Sequence, residues 1–194
     1  MNFEIQLWTP AHNCAEFISS LKSIQKYIQE QAARAMSSRS STVFVLTEKG
    51  NSKVRGYYTL SSLSILFDAL PREVQKKMPR YPQVPATLLG RLGMDLSFKD
   101  ELLKRGENPR LGELLLFDAQ RNCLKGAATV ASALMLIDVE QPSDEEAAAG
   151  ARDPLGFYTQ YGFIVLPKTP RALFKRVSTI ENELAASEPN TSFF

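Results

Sequence analysis

The chain has 194 residues, 44% of them hydrophobic and 23% charged, with a formal net charge of +2. That length suits one domain with a sizeable core, and that balance is ordinary for a soluble globular protein and argues against disorder over most of the chain. No apolar run reaches the ~18 residues of a membrane span, and the start "MNFEIQLWTP" lacks the basic beginning and apolar centre of a signal peptide.

A single histidine, His12, and two distant cysteines, Cys14 and Cys123, leave no zinc cluster, so a reduced, cytoplasmic protein without a metal is expected. The charge is uneven: residues 1–100 hold 13 Lys and Arg against 8 Asp and Glu, and residues 101–194 hold 10 against 13. A basic first half suits a nucleic-acid partner as well as plain solubility.

Taken in order, "FEIQLW" alternates as a strand does. Phe17, Leu21, Ile24 and Ile28 recur at spacings of four, three and four, which predicts an amphipathic helix to about Met36, ended by "SSRSS". "TVFVLTEKGNSKVRGYYTLSSLSI" reads as a hairpin turning at Lys49–Ser52. "PREVQKKM" is a short helix with Pro71 at its first position, "PRYPQVP" a stiff extended segment, and "ATLLGRLGMD" an apolar strand.

Residues 96–109 read as a charged connection. The helix after it carries Leu111, Leu114, Leu115 and Ala119 on one apolar face. "ASALMLIDV" is a strand apolar enough to be buried on both faces, "QPSDEEAAAGARDP" an acidic crossing, "LGFYTQYGF" a short helix closed by Gly162, and "RALFKRVS" a late strand. The expected class is a mixed α/β, α+β-like fold. Residues 1–186 are expected to form a single domain, and 187–194 a mobile tail.

The opening of a helix at "RLGELLL" after a strand and a connection turns unpaired backbone N–H groups toward an anion, and a pyrophosphate fits. Neither G-x-x-x-x-G-K-[ST] nor G-x-G-x-x-G is present, so the two common nucleotide loops do not apply.

"GYYTLS" at 56–61, "PRYPQVPATLLGRLGMD" at 79–95, "LGELLLFDAQR" at 111–121 and "FYTQYGF" at 157–163 stand in one order over roughly residues 43–175. Together they resemble the Gcn5-related N-acetyltransferase (GNAT) superfamily, and within it the acetyltransferase toxins of type II toxin–antitoxin modules. The resemblance implies the GNAT fold, a central mixed twisted sheet of about six to seven strands flanked by helices. It also implies acetyl-CoA as donor, the α-amine of aminoacyl-tRNA as acceptor, a cognate antitoxin and a homodimer.

Residue by residue, Leu92, Gly93 and Met94 match the strand whose backbone pairs with the pantetheine arm of acetyl-CoA. Leu111 and Gly112 match the end of the family's Q/R-x-x-G-x-G/A pyrophosphate loop, with Asn108, Arg110 and Glu113 beside them, and Tyr158 matches the tyrosine that protonates the departing thiolate.

The loop departs from the pattern. It reads "ENPRLG", with Glu107 in place of Gln or Arg and Arg110 in place of the first Gly, and eleven residues, "LSFKDELLKRG", precede it where the family has a few. Two readings follow. In one, Arg110, with Lys104 or Arg105, replaces the lost close approach with charge-assisted contacts. In the other, acetyl-CoA binding is impaired and the protein is a non-catalytic binding module.

No carboxylate or histidine in these motifs is placed as a base. A lysine acceptor (pKa ~10.4) would need one, whereas an α-amine (~7.7 to 8.0) is partly neutral already. A small-molecule or protein amine is the alternative acceptor. For tRNA, Lys76, Lys77, Arg80 and Arg91 are the candidate contacts, with Arg80 beside Tyr81.

Overall fold

In the computed structural model, which describes residues 3–108 and 110–187, the alternating N-terminal run is strand β1 (Phe3–Leu7). It pairs antiparallel with β2 (Thr42–Glu48), which pairs antiparallel with β3 (Gly56–Leu66). With β4 (Gln83–Met94), β5 (Leu134–Asp138), β6 (Ile164–Leu166) and β7 (Thr169–Arg176), the order in the sheet is β1-β2-β3-β4-β5-β7-β6. Strands β5 and β6 each run antiparallel to β7.

The chain forms two compact units. The first gathers residues up to Ser61, Leu89–Ala119 and Glu140–Pro154, and the second gathers Ser62–Leu88, Gln120–Val139 and the chain from Leu155.

The first unit is built around the helical segment between β1 and β2: α1 (Lys22–Lys26), a π-helical turn (Tyr27–Gln31) and α2 (Ala32–Ser37). Ile24, Tyr27, Ile28 and Ala32 are buried there against Val43, Val45, Val54 and Tyr57. Phe17 and Leu21 are buried with them but precede the helix. The apolar stripe foretold burial correctly and the helix start incorrectly, because a loop can also point a side chain inward.

Two segments read as connections are helices. Residues 96–109 contain α4 (Leu96–Lys104), ahead of α5 (Leu111–Ala127), and the acidic crossing contains α6 (Asp144–Ala148). Ser143 and Glu146 close a capping box on α6. The Glu146 carboxylate also accepts the Lys22 N–H at 2.8 Å, and these backbone contacts hold its pKa below the ordinary carboxylate value.

In the second unit Leu70, Val84, Ala86, Leu134, Leu136, Leu166 and Phe174 make the core. Helix α3 (Arg72–Gln75) has Pro71 just before it at the N-cap rather than as its first residue. Strand β4 already begins at Gln83, inside the proline-rich segment. Helix α7 (Leu155–Gln160) is where the sequence put it, while β6 and α8 (Val177–Ser187) had gone unread. Residues 188–194 of the expected tail lie outside the described residues. Among the described residues no helix is long and apolar enough to cross a membrane, and no group of His, Cys, Asp and Glu is arranged to hold a metal ion.

Candidate functional site

The last residues of β4 are placed by close packing. Gly93 is buried, and a Cβ built on it would lie 2.4 Å from Ile24 Cγ2, a distance at which something must move, and 3.4 Å from Tyr57 Cε1. Opposite, a Cβ on Gly56 would meet Leu115 Cδ1 at 2.9 Å and the Gly93 carbonyl oxygen at 3.2 Å. Glycine at both positions lets the π-turn wall, β3, β4 and α5 approach more closely than side chains would permit. Leu92 and Met94 are half-buried beside Gly93.

The wall is aromatic. Tyr57 stacks on Tyr27 at 6.1 Å, meets Phe17 edge-on, and donates its hydroxyl to the Ile24 carbonyl at 2.6 Å. The Arg91 guanidinium lies 4.0 Å above the Tyr27 ring. Burial pushes the Tyr57 phenol far above its ordinary pKa.

After β4 the eleven additional residues fold as a closed helix. Asp95, fully buried, caps α4: its Oδ1 accepts the Ser97 N–H at 3.2 Å and the Ser97 hydroxyl at 2.8 Å. Its Oδ2 has no hydrogen-bond partner but lies 3.8 Å from Arg55, which is bonded to Glu48 through Nε and Nη2 and covers the buried Phe98 ring at 4.1 Å. The C-terminal end is as definite. The Glu107 N–H returns to the Leu102 carbonyl, the Gly106 N–H to that of Leu103, and Gly106 has φ +73°, a Schellman motif. Phe98 and Leu102 supply the buried face.

Glu107, Asn108 and Arg110 follow in the connection to α5. The Arg110 carbonyl accepts from the Leu114 N–H at 3.0 Å, so Arg110 occupies the cap position and the N–H groups of Leu111, Gly112 and Glu113 open the helix. The Arg110 side chain is 79% exposed and meets Glu113 only at 3.5 Å, a weak surface pair. A cation and three helix-opening amides fit a pyrophosphate. Of the other two candidates, Arg105 is paired with Glu101, and Lys104 is exposed. Along α5, Leu111, Leu115, Leu116 and Ala119 are buried, whereas Leu114 is 41% exposed and leaves the expected apolar face. The buried stripe passes through Leu116, Gln120 and Cys123 instead.

Tyr158 sits on α7 in the second unit, 6% exposed, with its pKa raised by burial alone. The turn after it is also a Schellman motif. The Phe163 N–H bonds the Tyr158 carbonyl at 3.3 Å, the Gly162 N–H bonds that of Thr159 at 3.1 Å, and Gly162 has φ +79°. The Tyr158 and Phe163 rings meet edge-on at 6.2 Å, the apolar contact typical of that motif. Tyr161, the other tyrosine of "FYTQYGF", packs on Phe157 at 5.1 Å and is less buried.

Of the tRNA candidates, Lys76, Lys77 and Arg80 are exposed, Lys76 pairing with Glu73 at 3.1 Å. Arg91 is half-buried on the Tyr27 ring.

Among models of known protein families none matches the chain. It is 26% identical over 171 residues to the protein named "Probable toxin TacT" of Sinorhizobium fredii, covering 88% of each chain. To the "tRNA-acetylating toxin" of Mycobacterium tuberculosis it is 29% identical over 160 residues, 82% of this chain and 83% of that one. Among solved structures it superposes on AtaT complexed with acetyl-methionyl-tRNAfMet with a TM-score of 0.75 at 21% identity, over 94% of this chain and 99% of the other. It also superposes on a point mutant of AtaT bound to the C-terminus of the antitoxin AtaR and acetyl-CoA, with a TM-score of 0.68 at 17% identity over 95% and 99%. The seven-stranded sheet with its flanking helices is thus the GNAT fold, in a chain similar in sequence to acetyltransferase toxins.

Proposed function

We propose that the chain is an acetyl-CoA-dependent N-acetyltransferase that acetylates the α-amine of aminoacyl-tRNA and so blocks translation. In this reading it works in the cytoplasm as a homodimer, residues 1–186 form the catalytic domain, and a cognate antitoxin restrains it. The observation that carries the reading is the likeness, over nearly the whole chain, to a toxin solved with its acetylated aminoacyl-tRNA. The named tRNA-acetylating relative and the acetyl-CoA complex support it.

Acetyl-CoA supplies a thioester-activated acetyl group, and this chain's residues bind, orient and protonate. Arg110 and the amides of Leu111, Gly112 and Glu113 hold the pyrophosphate. The backbone of Leu92, Gly93 and Met94 pairs with the pantetheine arm, and an N–H at Gly93 or Met94 donates to the carbonyl oxygen as it gains charge. The neutral amine forms the new C–N bond while the C–S bond breaks. Tyr158 gives its hydroxyl proton to the sulfur, and the proton shed by the amine returns through water to the phenolate. Lys76, Lys77, Arg80 and Arg91 contact tRNA phosphates.

The test is transfer of labelled acetyl from acetyl-CoA to a total pool of charged tRNA. Label should enter the tRNA, be released by mild base, and fall by roughly a hundredfold or more in Tyr158→Phe. Binding of acetyl-CoA without labelling of tRNA would assign another acceptor, a small-molecule or protein amine. Failure to bind acetyl-CoA would make the protein a non-catalytic module.

A further inference from the structure

Lys175 is a charged side chain that is only 2% exposed, in β7 of the second unit. A buried ammonium is unfavourable unless partners compensate it, and its partners are specific. Nζ donates to the Tyr161 carbonyl at 2.8 Å, pairs with the half-exposed Glu183 carboxylate on α8, and lies 5.6 Å from the Phe163 ring centroid. A Cβ on Gly162 would stand 3.5 Å from the same Nζ. The cation therefore bonds the Tyr161 carbonyl and lies beside Gly162 and the Phe163 ring, in the Schellman motif in which Tyr158 provides both the accepting carbonyl and the apolar partner.

A cation at the last carbonyls of a helix is favoured by the unpaired C=O groups there and by the macrodipole. At six residues α7 is too short to be stable through its own hydrogen bonds. Its geometry depends on how its end is fixed, and Lys175 fixes that end from β7 while Glu183 fixes Lys175 from α8.

We propose that Lys175, held by Glu183, is a positioning residue for Tyr158, locking the terminal turn of α7 and through it the orientation of the phenol. The inference rests on Tyr158 being the proton donor. Without the lysine the turn keeps its glycine but loses its anchor, so the ring samples orientations from which proton transfer is slow.

The experiment is a double-mutant cycle read by steady-state acetyl transfer. Lys175→Met should lower kcat roughly ten- to a hundredfold with the KM for acetyl-CoA unchanged. Glu183→Gln should act in the same direction with a smaller factor. In a Tyr158→Phe background both losses should vanish, because the group they orient is gone. Slowing of the Tyr158→Phe enzyme by the wild-type factor, or a higher KM with kcat intact, overturns the proposal. Should Lys175→Met not fold, the cycle on the surface residue Glu183 decides alone. Full turnover by Tyr158→Phe would remove the proton-donor reading and this inference together, while loss in Tyr158→Phe with none in Lys175→Met removes this inference only.

Discussion

At the scale of single residues, what distinguishes the β4 end of the site is an absence of side chain. Gly93 has no room for a methyl group: Ile24 Cγ2 would be 2.4 Å away, on a β-branched side chain buried in the wall that Tyr57 supports. Gly93→Ala should therefore push β4 away from the π turn and cost about 1–3 kcal/mol, as overpacking does. Because the displaced backbone is the one proposed to pair with pantetheine, acetyl-CoA affinity should fall as well. Urea unfolding and calorimetric titration with acetyl-CoA check the two effects. Unchanged stability would mean that Ile24 moves freely, and unchanged affinity would detach this strand from the binding reading.

Elements show where the sequence was legible and where it was not. The strands at 3–7, 42–48 and 56–66 follow from alternation and from β-branched and aromatic content. Helix α7 with its glycine stop follows from a left-handed position that favours glycine. Helix α4 was missed although its signals are in the chain: Asp95 as cap, Phe98 and Leu102 four apart, Gly106 as stop. Its mean polarity hid them, because a nine-residue helix with two buried side chains needs little apolar content. Lys175 was illegible for a different reason: a lysine in "RALFKRVS" looks like solvated surface, and only the turn it meets, brought near by the fold, shows otherwise.

That reading of α4 makes Asp95 its decisive residue. Asp95→Ala removes the cap and leaves the side chain of Arg55, only 10% exposed, with Glu48 as its remaining anion. Stability should drop by about 3 kcal/mol, a lost cap plus part of the cost of a broken buried pair, because Glu48 still holds Arg55. Asp95→Asn, which keeps an oxygen for the Ser97 N–H, should lose less. Chemical denaturation of both variants decides: equal losses would show that the charge rather than the cap is what counts. Since α4 leads into the connection before α5, the Ala variant should also weaken acetyl-CoA binding.

For the whole molecule, two phenols raised by burial make stability depend on alkaline pH, and one lies in each unit: Tyr57 in the first, Tyr158 in the second. Desolvation raises both above the ~10 of a tyrosine in an unfolded chain. A group whose folded pKa is raised contributes stability that is complete below the unfolded value, and loses it as pH climbs from there toward the folded value. Thermal stability should therefore hold with respect to these groups up to about pH 9 and fall above about pH 10. The two phenolates should appear in absorbance together with the loss of circular dichroism, not before it. Tyr57→Phe separates this effect from other alkaline titrations. It loses the hydrogen bond to Ile24 and should be about 1 kcal/mol less stable at neutral pH. Having no phenol to ionise on unfolding, it should also fall less steeply above pH 10. Parallel curves for wild type and variant would show that Tyr57 ionises as readily in the folded chain as in the unfolded one, and that the wall around Gly93 admits water.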